Sequence, residues 1–302
     1  MPPSSNDPPP PVDRSSTAEI VESTLKRSSQ IATLPAVAAQ IIRLSESPDT
    51  TIEDLNKVIT TDPVLGVRIL KLVNSAYYGM PGQINSIKHA ILLLGLKAVK
   101  NVAIAASLVK MVRGGVIGSN FDASQLWTHS IAVATAAQIL AQRTELVAAD
   151  EAFLAGLIHD MGILVEMQAL GPKFSQMLQS LAADETLTFR AAETNTLGAS
   201  HEEFGAGLCK SWNFPPSLQF VTGYHHRPWD LPEEHRKLPT LVHIADVLAA
   251  RLGLGYTRTV ETATLDPELL ASVNLTEADI EEVSMALPEA IRESQRLLVE
   301  GT

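Results

Sequence analysis

The pair His159-Asp160 sits in the run AGLIHDMGILV, where the neighbours are apolar and an ionised carboxylate is costly to bury without compensation. Imidazole and carboxylate together suit a divalent cation such as Mn, Fe, Zn or Mg. With a single cysteine, Cys209, the chain offers no thiolate cluster for zinc. A hydrogen bond between the aspartate and a histidine is the other compensation. For a lone pair it is the commoner one, since adjacent residues on a helix point about 100° apart.

Eight histidines occur, and six group by context: His129, His159, His201, His225, His226 and His243. His201 and the doublet His225-His226 fall at expected helix ends, where side chains from separate helices converge in a cleft. A doublet in that place can address two metals. Asp246, three residues after His243, shares a helical face with it and offers a further carboxylate. His243 itself reads as a packed or hydrogen-bonded neighbour, while His89 and His235 have no acidic or histidine neighbour that suggests a site.

The elements that must position these groups are helices. Residues 1–17, MPPSSNDPPPPVDRSST, are rich in proline and serine and are expected to be disordered. From Ala18 the apolar spacing is helical, and no strand run appears. Helices are expected near 18–31, 36–46, 51–60, 63–74, 84–93 and 97–112, then from Asp122 to about Arg143. Further helices follow at 150–169, 171–183, 186–197, 200–212, 215–226, 238–252 and 276–299. Thr50-Thr51-Ile52-Glu53 and Ser200-His201-Glu202-Glu203 read as capping boxes, the second placing His201 in a first helical turn. Asp62-Pro63 supplies an N-cap before proline, and Arg227-Pro228 ends the helix carrying the doublet. The glycine-rich break RGGVIGSNF, 113–121, marks a boundary inside the folded part.

Composition narrows the function classes. A chain of 302 residues with 45% hydrophobic content can bury a real core. Its formal charge of −11 gives no field to attract nucleic acid or an anionic membrane, so neither is an expected partner. One cysteine closes no intramolecular disulfide, no leader pattern opens the chain, and apolar stretches such as 131–140 fall short of a bilayer span. The cytoplasm is the expected location.

The order His129, His159-Asp160, His201, His225-His226 and Asp246 resembles the histidine–aspartate (HD) phosphohydrolase superfamily. The first half makes the resemblance specific. Asp62-Pro63, Asn74 through Gly79 (NSAYYG), Ile87 through Ala90 and Leu94-Gly95 look like the HDOD domain, an HD relative found in bacterial signalling proteins. The likeness continues through LWTHSIAVATAA, FLAGLIHDMGILV, SHEEFGAGLCKSW and GYHHRP, and covers about residues 32–231. It implies an all-α domain used as a signalling output, generally without demonstrated catalysis. It implies one lobe or two, which divide the chain, after the leading helix at 18–31, into an N-terminal helical lobe at about 32–113, an HD-like lobe at 121–231, and an extension, 232–302, completing that lobe. The seven matching residues are the metal-ligand set it suggests, with Fe, Mn or Mg as the cation.

Departures bear on activity. In the cyclic-di-GMP phosphodiesterase branch a lysine follows the HD pair by three positions, where this chain has Ile163, which cannot hold a phosphate oxygen. The glycine-tyrosine-proline motif after the doublet is replaced by HHRPWDLPEEH, and a glutamate one turn before the first histidine is Gln125. Arg227, the nearest basic residue, reads as solvated. The expectation is a non-enzymatic regulatory module acting through signalling proteins, with a pocket for a metal or small ligand. A metal-dependent phosphohydrolase, with Asp160 as its central residue, is the alternative.

Other features have plainer readings. Asn74 through Gly79 fits a helix end capped by glycine. Lys97, Lys100, Lys110 and Arg113 form a solvated face, and Trp127 and Trp212 are core residues that also suit pocket walls. Pro288 is expected to kink or divide the last helix, which could pack on the domain or serve a homo-oligomer.

Overall fold

The computed structural model describes residues 14–27, 34–47, 49–74, 82–108 and 121–299. The protein is all-helical, with sixteen α-helices and no strand among the described residues. Five helices form the N-terminal lobe: α2 (Ala36–Glu46), α3 (Ile52–Thr60), α4 (Pro63–Val73), α5 (Ile87–Leu94) and α6 (Leu96–Leu108). Their starts follow local chemistry. Asp62 Oδ1 accepts the Val64 and Leu65 amides at 3.0 and 3.1 Å ahead of Pro63. The capping box before α3 is set one residue later than expected, between Thr51 and Asp54, because the Thr50 hydroxyl donates to the Leu44 carbonyl instead. Asn74 caps the C-terminus of α4 and bridges to the Ile84 backbone; residues 75–80 lie outside the described residues.

The second lobe is built around α7 (Ala123–Thr144), whose buried side chains include Ala132, Ala134, Ala136 and Ala137. These small residues let α8 (Ala149–Ile158), α14 (Lys237–Arg251) and α16 (Glu277–Val299) pack along it. Gly156 of α8 touches the α7 backbone, where a β-carbon would lie 2.7 Å from the Ala134 α-carbon. The remaining helices are α9 (Met161–Ala169), α10 (Gly171–Ala183), α11 (Phe189–Leu197), α12 (His201–Ser211), α13 (Pro216–Tyr224) and the short α15 (Pro267–Ser272). The two groups of helices meet where α6 packs on α8, through Asn101 to Asp150 (2.6 Å) and Lys97 to Glu151 (2.8 Å), and where α16 packs on α4.

Several expectations shift. Helix α1 (Arg14–Arg27) begins inside the Pro/Ser-rich segment read as disordered, because Thr17, Val21 and Thr24 are buried against α12 and α9. Most of the glycine-rich break at 113–121, with Lys110, lies outside the described residues. Helix α16 runs unbroken through Pro288, and α15 was not anticipated. The stretch Ala149–Ala169 is long and apolar enough by composition to span a bilayer, but 89% of it is buried inside the protein. It is also not one helix. The expected helix at 150–169 stops at Ile158 and restarts at Met161, with His159-Asp160 at the break and Asp160 at φ −96°, ψ 14°.

Candidate metal centre

At the break between α8 and α9, His159 and Asp160 reach one site although they are neighbours in the chain. His159 Nε2 lies 3.3 Å from Asp160 Oδ2. Asp160 Oδ1 is 3.5 Å from His201 Nε2 and 3.4 Å from His225 Nε2. Asp246, from α14, sits 2.9 Å from His129 Nε2, 3.9 Å from His159 Nε2 and 3.7 Å from His226 Nδ1. All seven residues of the expected ligand set therefore meet at one place, contributed by α7, the α8–α9 break, the first turn of α12, the end of α13, and α14. His243 does not join them: its Nδ1–H donates to the His225 carbonyl at 2.8 Å.

The histidine orientations are set from behind. Nδ1–H of His159 donates to the Gly156 carbonyl at 2.7 Å, and that of His225 to Val221 at 3.2 Å. His129 donates to Leu254 at 3.2 Å, while His201 faces both oxygens of Glu193 at 2.8 and 2.9 Å. A ring that spends its Nδ1–H in this way turns Nε2 inward, the nitrogen that ligates a metal once it has given up its proton. The loop holding His129 passes against α7 at Gly255, where Tyr256 N–H donates to the Gln125 carbonyl at 3.0 Å.

The centre fits a divalent cation. Asp160 Oδ1 and Oδ2, His159 Nε2, His225 Nε2 and Asp246 Oδ2 are buried with no hydrogen-bond partner. Potential ligand atoms lie within 4.8 Å of one another in three groups: Asp160, His201, His225 and His226; His129, His159 and Asp160; and His159, His225 and Asp246. Asp160 belongs to the first two groups, so one carboxylate is available to two cation positions. The donors are imidazole and carboxylate, as Fe, Mn or Zn prefers. The same crowding shapes the protonation states. Burial alone would lower His159, but the Asp160 charge holds it up to about 9. Burial alone would raise Asp160, yet His159 holds it well below the usual carboxylate range.

Solvent reaches the centre at one side. His226 and His243 are 8% and 7% exposed and line a cleft of about 1130 Å³ with Arg190, Arg227, Trp229 and Lys237. Arg227 is not simply solvated. It and Arg190 converge on the buried Glu202 carboxylate at 3.1 and 3.2 Å, and Glu202 also accepts the His226 amide at 3.3 Å. Ile163 is fully buried in the core, and Gln125 is exposed. Trp127 and Asp160 both line a void of about 10 Å³, room for at most one water. Trp212 packs on Phe214. Glu193, Glu202 and Glu166 escaped the sequence reading. Glu166, a lone charge in ILVEMQ, carried the same signal as Asp160, whereas the other two carried none.

An all-helical domain whose separate helices deliver histidines and aspartates to a buried centre defines the HD class. A family model for the HDOD domain matches residues 31–228. The chain belongs to the HDOD domain family. An uncharacterized protein of Treponema pallidum (strain Nichols) is 30% identical over 234 residues, 76% of this chain and 44% of that protein. The chain thus spans less than half the length of this curated relative. An HDOD domain protein of unknown function from Geobacter sulfurreducens superposes with a TM-score of 0.78 at 25% identity, covering 95% of this chain and 100% of that one. A putative phosphohydrolase from Shewanella amazonensis SB2B gives 0.69 at 23% identity, covering 91% and 98%. That likeness establishes the fold.

Proposed function

We propose that this chain is a signalling domain that holds divalent cations in a closed His/Asp centre and acts by binding protein partners. The observation that carries this reading is the combination of a complete ligand set with its closure: none of the seven residues is more than 8% exposed. Cations there would neutralise Asp160 and Asp246 and tie the α8–α9 break to α7, α12, α13 and α14. The centre then acts as a clasp that fixes the shape of the lobe.

The second reading is a metal-dependent phosphohydrolase, favoured by His226 at the floor of the cleft with Arg190 and Arg227 beside it. A bound cation would supply an activated water and stabilise developing charge on a phosphoester. The chain's own contribution would be Arg190 and Arg227, held by Glu202 and oriented to meet an anionic group. Metal analysis of protein purified without chelator, with a phosphodiesterase screen of wild type and Asp160→Ala, separates the two. Stoichiometric metal without turnover is the expected result. Turnover lost in Asp160→Ala would overturn the regulatory reading in favour of the enzyme.

A further inference from the structure

His201 is held differently from the histidines beside it. The Nδ1–H groups of His129, His159 and His225 go to backbone carbonyls, which are neutral. His201 faces a carboxylate, with both Glu193 oxygens within 2.9 Å. Glu193, on α11, is fully buried. Beside it lies Glu166 of α9, also fully buried, whose oxygens have no polar partner other than the Glu193 carboxylate. The sequence His201, Glu193, Glu166 thus leads from the centre into the core.

We propose that Glu193 is a positioning residue that makes His201 the strongest imidazole donor of the centre, with Glu166 packed behind it. The role assigned to His201 rests on the cation-binding reading above. A carboxylate accepting Nδ1–H fixes the tautomer with Nε2 bare and raises its basicity more than a carbonyl does. Two adjacent carboxylates without a cation cannot both stay ionised in a dry core. Burial pushes both Glu193 and Glu166 well above the usual carboxylate range, so the pair shares a proton.

The test uses the full chain, ¹⁵N-labelled, as wild type, Glu193→Leu, Glu193→Gln and Glu166→Gln. Imidazole ¹⁵N shifts are read on chelator-treated protein, and Mn²⁺ binding is followed by electron paramagnetic resonance. Wild type is expected to show His201 protonated at Nδ1 and bare at Nε2. Glu193→Leu should lose this fixed tautomer and weaken Mn²⁺ binding by roughly 10- to 100-fold. Glu193→Gln, which keeps an acceptor oxygen and the side-chain shape, should keep the tautomer and lose only part of the affinity. Glu166→Gln should leave both nearly unchanged. An unchanged His201 tautomer in Glu193→Leu overturns the proposal. If wild type binds no Mn²⁺, the cation reading fails, and the tautomer shifts still decide whether Glu193 positions His201.

Discussion

Gly162 and His201 meet backbone to backbone: a β-carbon at position 162 would lie 1.9 Å from the His201 carbonyl oxygen and 2.8 Å from the Gly205 nitrogen. This contact seats the first turn of α12 against α9, two residues beyond Asp160. Gly162→Ala must therefore push the helices apart. It should cost about 1–3 kcal/mol or more in stability and lower the bound metal. Gly207→Ala is the control. Its β-carbon meets side chains, Val21 and Leu25 on α1, rather than backbone, so a smaller change is expected. Denaturant midpoints and metal content check both, and equal effects would refute a special role for the Gly162 contact.

Gly255 does for His129 what Gly162 does for His201. Its φ is +74°, and a β-carbon there would lie 2.3 Å from the Gln125 carbonyl and 2.4 Å from the His129 nitrogen. Alanine at 255 incurs a left-handed backbone penalty of roughly 1–2 kcal/mol in addition to the overlap. The Leu254 carbonyl should then lose its hold on His129 Nδ1–H. The expected signature is weaker cation binding together with a lower melting temperature; native cation affinity in Gly255→Ala would count against the clamp.

Cation removal should be visible as stability. A ligand bound only by the folded state at 100 times its Kd adds about 2.7 kcal/mol, or roughly 5 °C in melting temperature for a chain this long. Calorimetry before and after chelation, and after Mn²⁺ is restored, measures the increment. Asp160→Asn should show none of it, because Asp160 faces His159, His201 and His225 at once.

Cys209 should be inert in the folded protein. It is fully buried, and burial pushes its thiol from 9.0 up to about 12, so little thiolate forms near neutral pH. A disulfide reagent at pH 8 should find no thiol in the native chain and one per chain in denaturant. The folded state holds this proton more tightly, so the contribution of Cys209 to stability is present below pH 9 and is lost as pH rises towards 12. Rapid labelling of native protein would overturn this.

Much of the fold was legible locally. Helix caps are short-range chemistry, so Asp62-Pro63 and Ser200 with Glu203 marked their helix starts correctly. The Thr51 box was misplaced by one residue because a distant acceptor, the Leu44 carbonyl, took the Thr50 hydroxyl. The donor types were legible too, since a carboxylate among apolar residues demands a partner wherever the chain puts it.

What sequence determined by itself was the all-helical class, because periodicity is a property of the chain, and a group of candidate histidines and aspartates that the HD resemblance narrowed to seven. Tertiary structure alone decided how they converge. The break at His159-Asp160 lies in a run that reads as continuous helix. Glu193 reaches His201 across eight residues and a left-handed turn at Gly198. The Leu254 carbonyl reaches His129 from 125 residues away. No spacing rule encodes such contacts, because they depend on how closely glycines 156, 162 and 255 let separate elements approach.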